Sequence, residues 1–276
     1  MIEIKLKGCG AIMNRDFTLS KYQQLIESII DTDYKTTTVY DYLLSEQKKC
    51  VILRHDVDRE IERAMEMAQL EYEYDITSTY YFRHTKDVFK PKIIEKIADM
   101  GHEIGFHYEV MDKAKGDPEK AIDIFKNELE DMREISNVAT ICMHGNPLAS
   151  WSNRDLWGKY NFKDFGIIGE PYLSINYNEV FYLTDTGRTW ANMNIRVKDV
   201  VDTSYKGKNH LSVGKISSTE DVSNLILSEK IPKICVLVHP NRWCNDTYGW
   251  TKEFILQNLK NVGKAGIVLY RSKSNK

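Results

Sequence analysis

Short apolar runs separated by amphipathic stretches dominate the chain from residue 50 onward. The apolar runs lie at 50–53, 76–82, 103–107, 139–143 and 234–238. Helical periodicity is found at 59–72, 91–100, 118–134 and 251–262. Short buried strands that alternate with helices are typical of a parallel sheet with crossover helices. The number of such units predicts an α/β barrel or a doubly wound sheet.

The flanks of this region are less regular. Apolar residues at helical spacing predict a helical lead-in over 17–45, with a second short helix near 40–44. We expect further strands near 165–168, 180–184 and 192–197, and a last strand at 266–270. The whole chain, 1–276, is interpreted as one catalytic domain. Within it, residues 1–48 form a helical N-terminal extension and residues 49–272 form the barrel.

Composition and charge narrow the functional class. The chain of 276 residues has a formal net charge of −2, which gives no reason to expect nucleic acid as a partner. No stretch reaches the roughly 18 apolar residues of a membrane span, and no secretory signal pattern is found. The five cysteines are scattered without a C-x-x-C pair, which argues against a disulfide framework and a cysteine-based zinc site. We therefore expect a cytoplasmic protein without a membrane span.

Polar residues follow four separate apolar runs. Asp56 and Asp58 come after the first of these runs, His107 ends the third, His144 follows the fourth and His239 follows the last. In a parallel α/β architecture the carboxyl ends of the strands lie on one face, where active sites form. The sequence therefore predicts that these side chains share one site.

Asp, His and Glu without cysteine suit zinc or another divalent ion in an open site with water at a free position. Such an ion lowers the pKa of its bound water, and a neighbouring carboxylate can take the proton. A histidine across the pocket can then protonate the leaving group. The residue types thus indicate metal-assisted hydrolysis, and they leave open which bond is cleaved.

Three segments carry a family resemblance. The segment 101–107, Gly-His-Glu-Ile-Gly-Phe-His, resembles the G-H-E-I-G-x-H segment of the polysaccharide deacetylases, carbohydrate esterase family 4. The pair Asp56 and Asp58 resembles the first motif of that family, and 236–239 resembles its late strand with a catalytic histidine. The Arg-His-Asp-Val-Asp opening at 54–58 and the segment 184–188, Thr-Asp-Thr-Gly-Arg, are similar to a branch associated with surface-polysaccharide biosynthesis, including O-antigen.

The resemblance implies a distorted (β/α) barrel and a role for each matched residue. Asp56 would be the general base, Asp58 and His107 would bind one divalent metal, most simply zinc, and His239 would be the general acid. The implied reaction removes an N-acyl group, such as acetyl, from an amino sugar or a glycan precursor. With a cytoplasmic location, that substrate would be nucleotide- or lipid-linked.

One position departs from the family pattern. Met111 stands where the family has a second histidine, and a thioether is a poor ligand for a hard, water-activating metal. His144 at the end of the next strand is our candidate for the third ligand, and Glu109 is the alternative. If neither binds, the chain holds metal weakly or not at all.

Residues beyond the metal site are expected to contact the substrate. Arg83 can bind a carboxylate or a phosphate, Asn146 lies in a turn after a strand, and Trp243 is the candidate for a pocket wall that stacks on a sugar. Two other functions stay open at this point. One is a hydrolase of another non-peptide C–N bond, and the other is an inactive glycan-binding protein on the same barrel.

Overall fold

A sheet of parallel strands forms the centre of the protein. The structure is a computed structural model, and it describes residues 15–45, 47–190 and 216–274. The strands are β1 (Lys35–Thr37), β2 (Cys50–Val57), β3 (Thr79–Phe82), β4 (Glu103–Tyr108), β5 (Ile141–Met143), β6 (Phe181–Thr184) and β7 (Lys233–Val238). Every pair of neighbouring strands in this set is parallel.

The order of the strands closes the sheet into a partial barrel. Their path is β5-β4-β3-β2-β7-β6, so the long strand β2 lies near the middle. Strand β1 pairs with residues 50–52 of β2, and β3 pairs with residues 54–57 of the same strand. The sheet with its crossover helices is a curled, distorted (β/α) barrel, which confirms the fold class expected from the sequence.

Helices cover the sheet and connect its strands. They are α1 (Leu19–Ile30), α2 (Val39–Leu44), α3 (Ile61–Glu73), α4 (Pro91–Asp99), α5 (Val110–Lys113), α6 (Pro118–Arg133), α7 (Pro171–Ser174), α8 (Thr219–Leu227) and α9 (Thr247–Ser274). Thr18 and Asp117 cap α1 and α6 by accepting hydrogen bonds from backbone N–H groups of the first turn. Most of these helices lead into the next strand, whereas α5 leads into α6 and α9 follows the last strand.

Strand β2 explains why polar groups sit at the centre of the protein. All eight of its residues are buried, although Arg54, His55 and Asp56 are polar. Successive side chains of a strand point to opposite faces. Ile52 therefore packs in one apolar cluster, and Val51 and Leu53 pack in a second cluster on the other face. Arg54 and Asp56 share the face of Ile52, and His55 lies on the opposite face.

Three elements differ from the sequence-based expectation. Strand β1 lies within the stretch expected to be helical, where it adds three residues to the edge of β2. The apolar stretch 266–270 continues α9 and is not a strand, because periodicity cannot separate helix from strand in a short apolar run. Near 165–168 the chain forms a 3-10 helix, Phe162–Phe165, followed by one bridge between Thr140 and Gly169. The expected strand at 192–197 lies outside the described residues.

Within the described ranges, no helix combines the length and the apolar character needed to cross a bilayer.

Candidate functional site

The carboxyl ends of five strands meet beneath one cleft. Strand β2 carries Asp56 and leads to Asp58, while β4 contains His107. The residue after β5 is His144, the residue after β6 is Asp185, and the residue after β7 is His239. The cleft above them has a volume of about 670 Å³, and Asp58, Arg83, His144 and Asn146 contribute to its lining. The structure therefore brings together the residues that the sequence predicted for one site.

Asp58 lies between two imidazole rings. Its Oδ1 atom is 3.4 Å from Nε2 of His107 and 3.6 Å from Nε2 of His144. This oxygen is buried and accepts no hydrogen bond from any residue that the structure describes. Buried polar atoms without a partner are rare in folded proteins, and a missing ion is one of the usual reasons. Asp58 Oδ1 therefore lies within ion-pair distance of both imidazole rings.

A hydrogen bond to the backbone fixes the tautomer of His107. Its Nδ1 lies 3.0 Å from the backbone carbonyl oxygen of Cys142, which can only accept a hydrogen bond. Nδ1 therefore carries a proton, and in the neutral ring Nε2 turns a lone pair toward Asp58. Burial alone would lower the pKa of His107, but the carboxylates of Asp56 and Asp58 raise it. Either a proton or a metal ion must therefore separate the ring from the carboxylate.

His144 is in the neutral form that can donate a lone pair to a metal ion. Burial lowers its pKa and keeps the ring neutral, the form that binds a metal. Nδ1 lies 3.5 Å from Oε2 of Glu109, and that carboxylate forms an ion pair of 2.5 Å with Arg83. Glu109 is therefore engaged by Arg83 and contacts the far side of the His144 ring. This arrangement favours His144 over Glu109 as the candidate third ligand.

Met111 takes no part in this cluster. It lies in α5 and belongs to the main apolar core, where its side chain is 4% exposed. Its backbone N–H donates to Oδ1 of Asn153 at 2.9 Å. His144, the residue that follows β5, brings an imidazole to the cluster from the strand beside β4.

Arg54 binds Asp56 through two hydrogen bonds. Nε donates to Oδ1 at 2.9 Å, and a terminal nitrogen donates to Oδ2 at 2.7 Å. Burial alone would raise the pKa of Asp56, but the Arg54 guanidinium outweighs it and holds this pKa below its ordinary value. The carboxylate is therefore ionised. It lies beside the metal candidates, with Oδ2 at 3.9 Å from Nε2 of His107.

A second grouping of possible metal ligands involves Asp56, His107 and Cys142, whose ligand atoms lie within 4.8 Å of one another. The Arg54 guanidinium occupies this space. The same nitrogen that binds Asp56 also lies 2.7 Å from Sγ of Cys142. A cation placed there would face a buried positive charge at close range, which is unfavourable. The group of Asp58, His107 and His144 does not include the Arg54 guanidinium, but its ligand atoms are more widely spaced, so one of its rings has to shift to bind a single ion.

His239 is oriented by Asp185. Its Nδ1 and its backbone N–H lie 2.7 and 3.0 Å from the two carboxylate oxygens. The Arg242 guanidinium, at 2.6 Å, and Nε1 of Trp243, at 2.8 Å, donate to the same carboxylate. Burial would raise the pKa of Asp185, but Arg242 and then His239 lower it. Nδ1 of His239 is engaged by Asp185 and also lies 2.9 Å from the Arg242 guanidinium, so Nε2 is the atom left to exchange a proton.

Of the three predicted substrate contacts, two line the cleft and one does not. Arg83 and Asn146 line the cleft, as their sequence positions suggested. Trp243 does not line it: the ring is 1% exposed and packs against Phe17 and Tyr22. Its contribution to the site is the hydrogen bond to Asp185, so the expected stacking on a sugar is corrected to a supporting contact.

Three residues of the site were not singled out from the sequence. These are Arg54, Asp185 and Arg242. Asp185 had the same signal as the other members, because it directly follows an apolar strand, β6. Arg54 and Arg242 had no such positional signal, since an arginine near a strand end is most often a surface residue.

Comparison with known proteins yields distant structural likenesses. Neither a protein family nor a curated protein sequence matches the chain. A carbohydrate esterase family 4 pseudoenzyme from Bacillus anthracis aligns over 79% of this chain and 62% of its own, with 15% identity and a TM-score of 0.44. PdaA of Bacillus subtilis, a family 4 carbohydrate esterase, aligns over 87% of this chain and 84% of its own, with 14% identity and a TM-score of 0.42.

The peptidoglycan deacetylase PdaC of the same species aligns over 83% of this chain and 95% of its own, with 9% identity and a TM-score of 0.41. This chain thus spans less than two thirds of the first of these structures. At such scores the likeness carries no argument about activity, which has to come from the side chains of the site.

Proposed function

We propose that this protein is a metal-dependent hydrolase that removes an N-acyl group, such as acetyl, from an amino sugar or a glycan precursor. The observation that carries the proposal is the position of Asp58 Oδ1, buried between the Nε2 atoms of His107 and His144. Three ligand atoms of the O, N, N type suit zinc or a similar divalent ion with a free coordination position.

In this proposal Asp58, His107 and His144 hold the ion. When bound, it would polarise water and the acyl carbonyl group, which makes the attack on an amide possible near neutral pH. Neighbouring groups of the protein contact the other ring nitrogen of each imidazole. The carbonyl of Cys142 fixes the His107 ring through Nδ1, and Glu109 contacts Nδ1 of His144. Such supporting contacts set the orientation of metal-binding imidazoles.

Asp56 and His239 are proposed as the acid–base pair. Asp56 is ionised and lies next to His107, so it is placed to take a proton from the attacking water. His239 contributes to lowering the pKa of both Asp56 and Asp58, which supports a role for its ring beside these carboxylates. With Nδ1 bound to Asp185, Nε2 can deliver a proton to the departing amine. Amide hydrolysis needs this second proton transfer because an amine anion is a poor leaving group.

The test combines metal content with a search for activity. The purified protein is loaded with zinc or cobalt, dialysed and analysed for metal, and then incubated with N-acetylated amino sugars while released acetate is measured. We expect about one equivalent of metal, acetate release, and loss of both in His107→Ala. A protein that retains no divalent metal under any loading condition would overturn the proposal.

A further inference from the structure

Basic side chains dominate the lining of the cleft above the site. Its basic residues are Arg59, Arg83, Arg242, Lys260 and Lys264, and its acidic residues are Asp58 and Asp87. Asp58 is the candidate metal ligand, so it is not available to neutralise the wall. With an ion bound, the balance of charge in the cleft becomes still more positive. A concave surface of one sign concentrates ions of the opposite sign.

The arginines of this wall are fixed in place. Arg59 donates twice to the Glu253 carboxylate at 2.7 Å, and Arg83 donates to Glu109 at 2.5 Å. Arg242 is anchored on Asp185. None of these three carboxylates lines the cleft. These carboxylates therefore fix the guanidinium groups from outside the cleft. The arginines form a preorganised basic surface for a ligand that binds in the cleft.

Lys260 extends the same surface from α9. Among the described residues its ammonium forms no ion pair within 4.0 Å. Although the side chain is exposed, partial desolvation and then the neighbouring Arg59 lower its pKa, which indicates that positive charge is crowded here. An anion in the cleft would relieve this crowding. Crowded cations repel one another, so a bound anion offers a physical reason for their presence.

The amount of charge indicates the kind of anion. Three arginines are paired with carboxylates outside the cleft, but the lining itself carries five basic side chains and two acidic ones, which matches a group with several charges and many acceptor oxygens better than a single carboxylate. A phosphate or diphosphate group has these properties. The cleft volume of about 670 Å³ lies in the range of sites that enclose small ligands.

We propose that the cleft binds a substrate that carries a phosphate or diphosphate group, with Arg59, Arg242 and Lys260 as its contacts and the acylamino group at the metal cluster. This inference rests on the proposed function for the position of the reacting group. The phosphate belongs either to a nucleotide or to a lipid carrier. Both share the same recognition chemistry.

The experiment measures binding of inorganic pyrophosphate to the metal-free protein by calorimetry at low ionic strength. Removal of metal matters because pyrophosphate also binds divalent ions directly. We expect one site per chain, at least about tenfold weaker binding in Lys260→Glu, and weaker binding as salt is added. Lys260 is exposed on a helix, so this variant is expected to fold. The matched control is Lys252→Glu, which reverses a charge on the same helix outside this cleft.

Three results would overturn the inference: no binding of pyrophosphate, binding of glucuronate in its place, or equal loss of affinity in Lys252→Glu and Lys260→Glu. Competition by uridine diphosphate would support it with a nucleotide as the source. Retention on phosphatidylcholine vesicles that contain a polyprenyl diphosphate, without such competition, would support it with a lipid carrier. Because binding is measured without metal, its failure is separate from the failure of metal loading or acetate release.

Discussion

Asp185 accepts a hydrogen bond from Nδ1 of His239 at 2.7 Å and another from the backbone N–H of the same residue at 3.0 Å. Two bonds from one residue fix both the ring and the backbone of His239. The Arg242 guanidinium lies 2.9 Å from the same Nδ1, so both neighbours engage Nδ1 and Nε2 remains the reactive atom. The general-acid role proposed for His239 therefore depends on Asp185.

We expect Asp185→Asn to lower kcat by roughly 10²-fold or more, with little change in KM, because the amide no longer holds the His239 ring in one tautomer. Metal content should be unchanged, since Asp185 does not touch the metal cluster. Steady-state kinetics on the metal-loaded enzyme gives the answer. Asp87→Asn, in the same cleft, is the control and should retain kcat. An unchanged kcat in Asp185→Asn would remove Asp185 from the proton-transfer machinery.

Metal stoichiometry distinguishes between the two groupings of possible ligands. Asp58→Ala and His144→Ala should each lower the bound metal far below one equivalent, because each removes one of three proposed ligand atoms. Cys142→Ser should retain the metal, since Sγ of Cys142 faces Arg54. Elemental analysis after dialysis measures all three variants. Loss of metal in Cys142→Ser, with retention in His144→Ala, would instead favour the group of Asp56, His107 and Cys142.

Asp56 has a structural role as well as the proposed catalytic one. Asp56→Asn should retain the metal but reduce turnover by roughly 10²-fold or more. It should also lower the free energy of unfolding by about 3–5 kcal/mol, because Arg54 is fully buried and would lose its counter-charge. Urea denaturation measures the second effect. In the double variant with Arg54→Gln, stability should recover in part and turnover should not, which separates folding from catalysis.

The positions of most strands could be predicted because a buried strand is a short apolar run. The runs at 50–53, 103–107 and 234–238 became β2, β4 and β7, and the stretch 180–184 became β6. The convergence of polar residues was also predictable, since it follows from parallel topology and not from any side-chain contact. Asp58, His107 and His144 are close together for this reason.

Pairings between distant residues could not be predicted in the same way. Asp185 and His239 are 54 positions apart, and the strand order that joins them, β6 beside β7, is not written in either segment. The role predicted for Trp243 was wrong for a related reason. A tryptophan near a site suggests a sugar-stacking wall, but burial depends on the packing of Phe17 and Tyr22 from the N-terminal part of the chain.

Glu71 anchors a buried polar network on the opposite face of β2 from Asp56. It accepts hydrogen bonds from Ser78 at 2.6 Å and Tyr80 at 2.9 Å, and its carboxylate lies 2.7 Å from Nε2 of His55. Burial would raise the pKa of Glu71, but His55 and the other partners lower it to about 2. A carboxyl group with a lowered pKa stabilises the fold above its unfolded pKa, and this stability is lost as the pH falls.

We expect this contribution to be complete above pH 4.5 and to disappear as the pH falls to about 2. Its size is about 3 kcal/mol. Glu71→Gln should therefore unfold more easily than the parent at pH 7, and the difference should shrink in acid. Chemical denaturation at several pH values measures it. Glu66→Gln, an exposed change on the same helix, should show no such trend. A difference that stays constant with pH would contradict the role given to Glu71.

Glu170 has the opposite behaviour, because it is buried and forms no ion pair within 4.0 Å with any residue of the described ranges. Its two oxygens accept backbone hydrogen bonds from Met143 at 3.1 Å and Leu173 at 3.0 Å. Burial is the largest influence and raises the pKa of Glu170 to about 7. The folded protein therefore binds a proton between pH 4.5 and 7 that the unfolded chain releases. The stability from this group is complete below pH 4.5 and is lost as the pH rises through 7.

Glu170→Gln removes the titration and keeps the shape of the side chain. The glutamine NH₂ cannot accept, so one backbone hydrogen bond is lost at every pH, at a cost of about 1 kcal/mol. The parent protein, in contrast, loses about 3 kcal/mol between pH 4.5 and pH 8 from this group. We therefore expect the variant to be the less stable protein at pH 4.5 and the more stable one at pH 8. Urea denaturation of both proteins across this range, with the exposed Glu179→Gln as the control, tests the crossing. Parallel stability curves would show that Glu170 is ionised in the fold and that its backbone contacts outweigh burial.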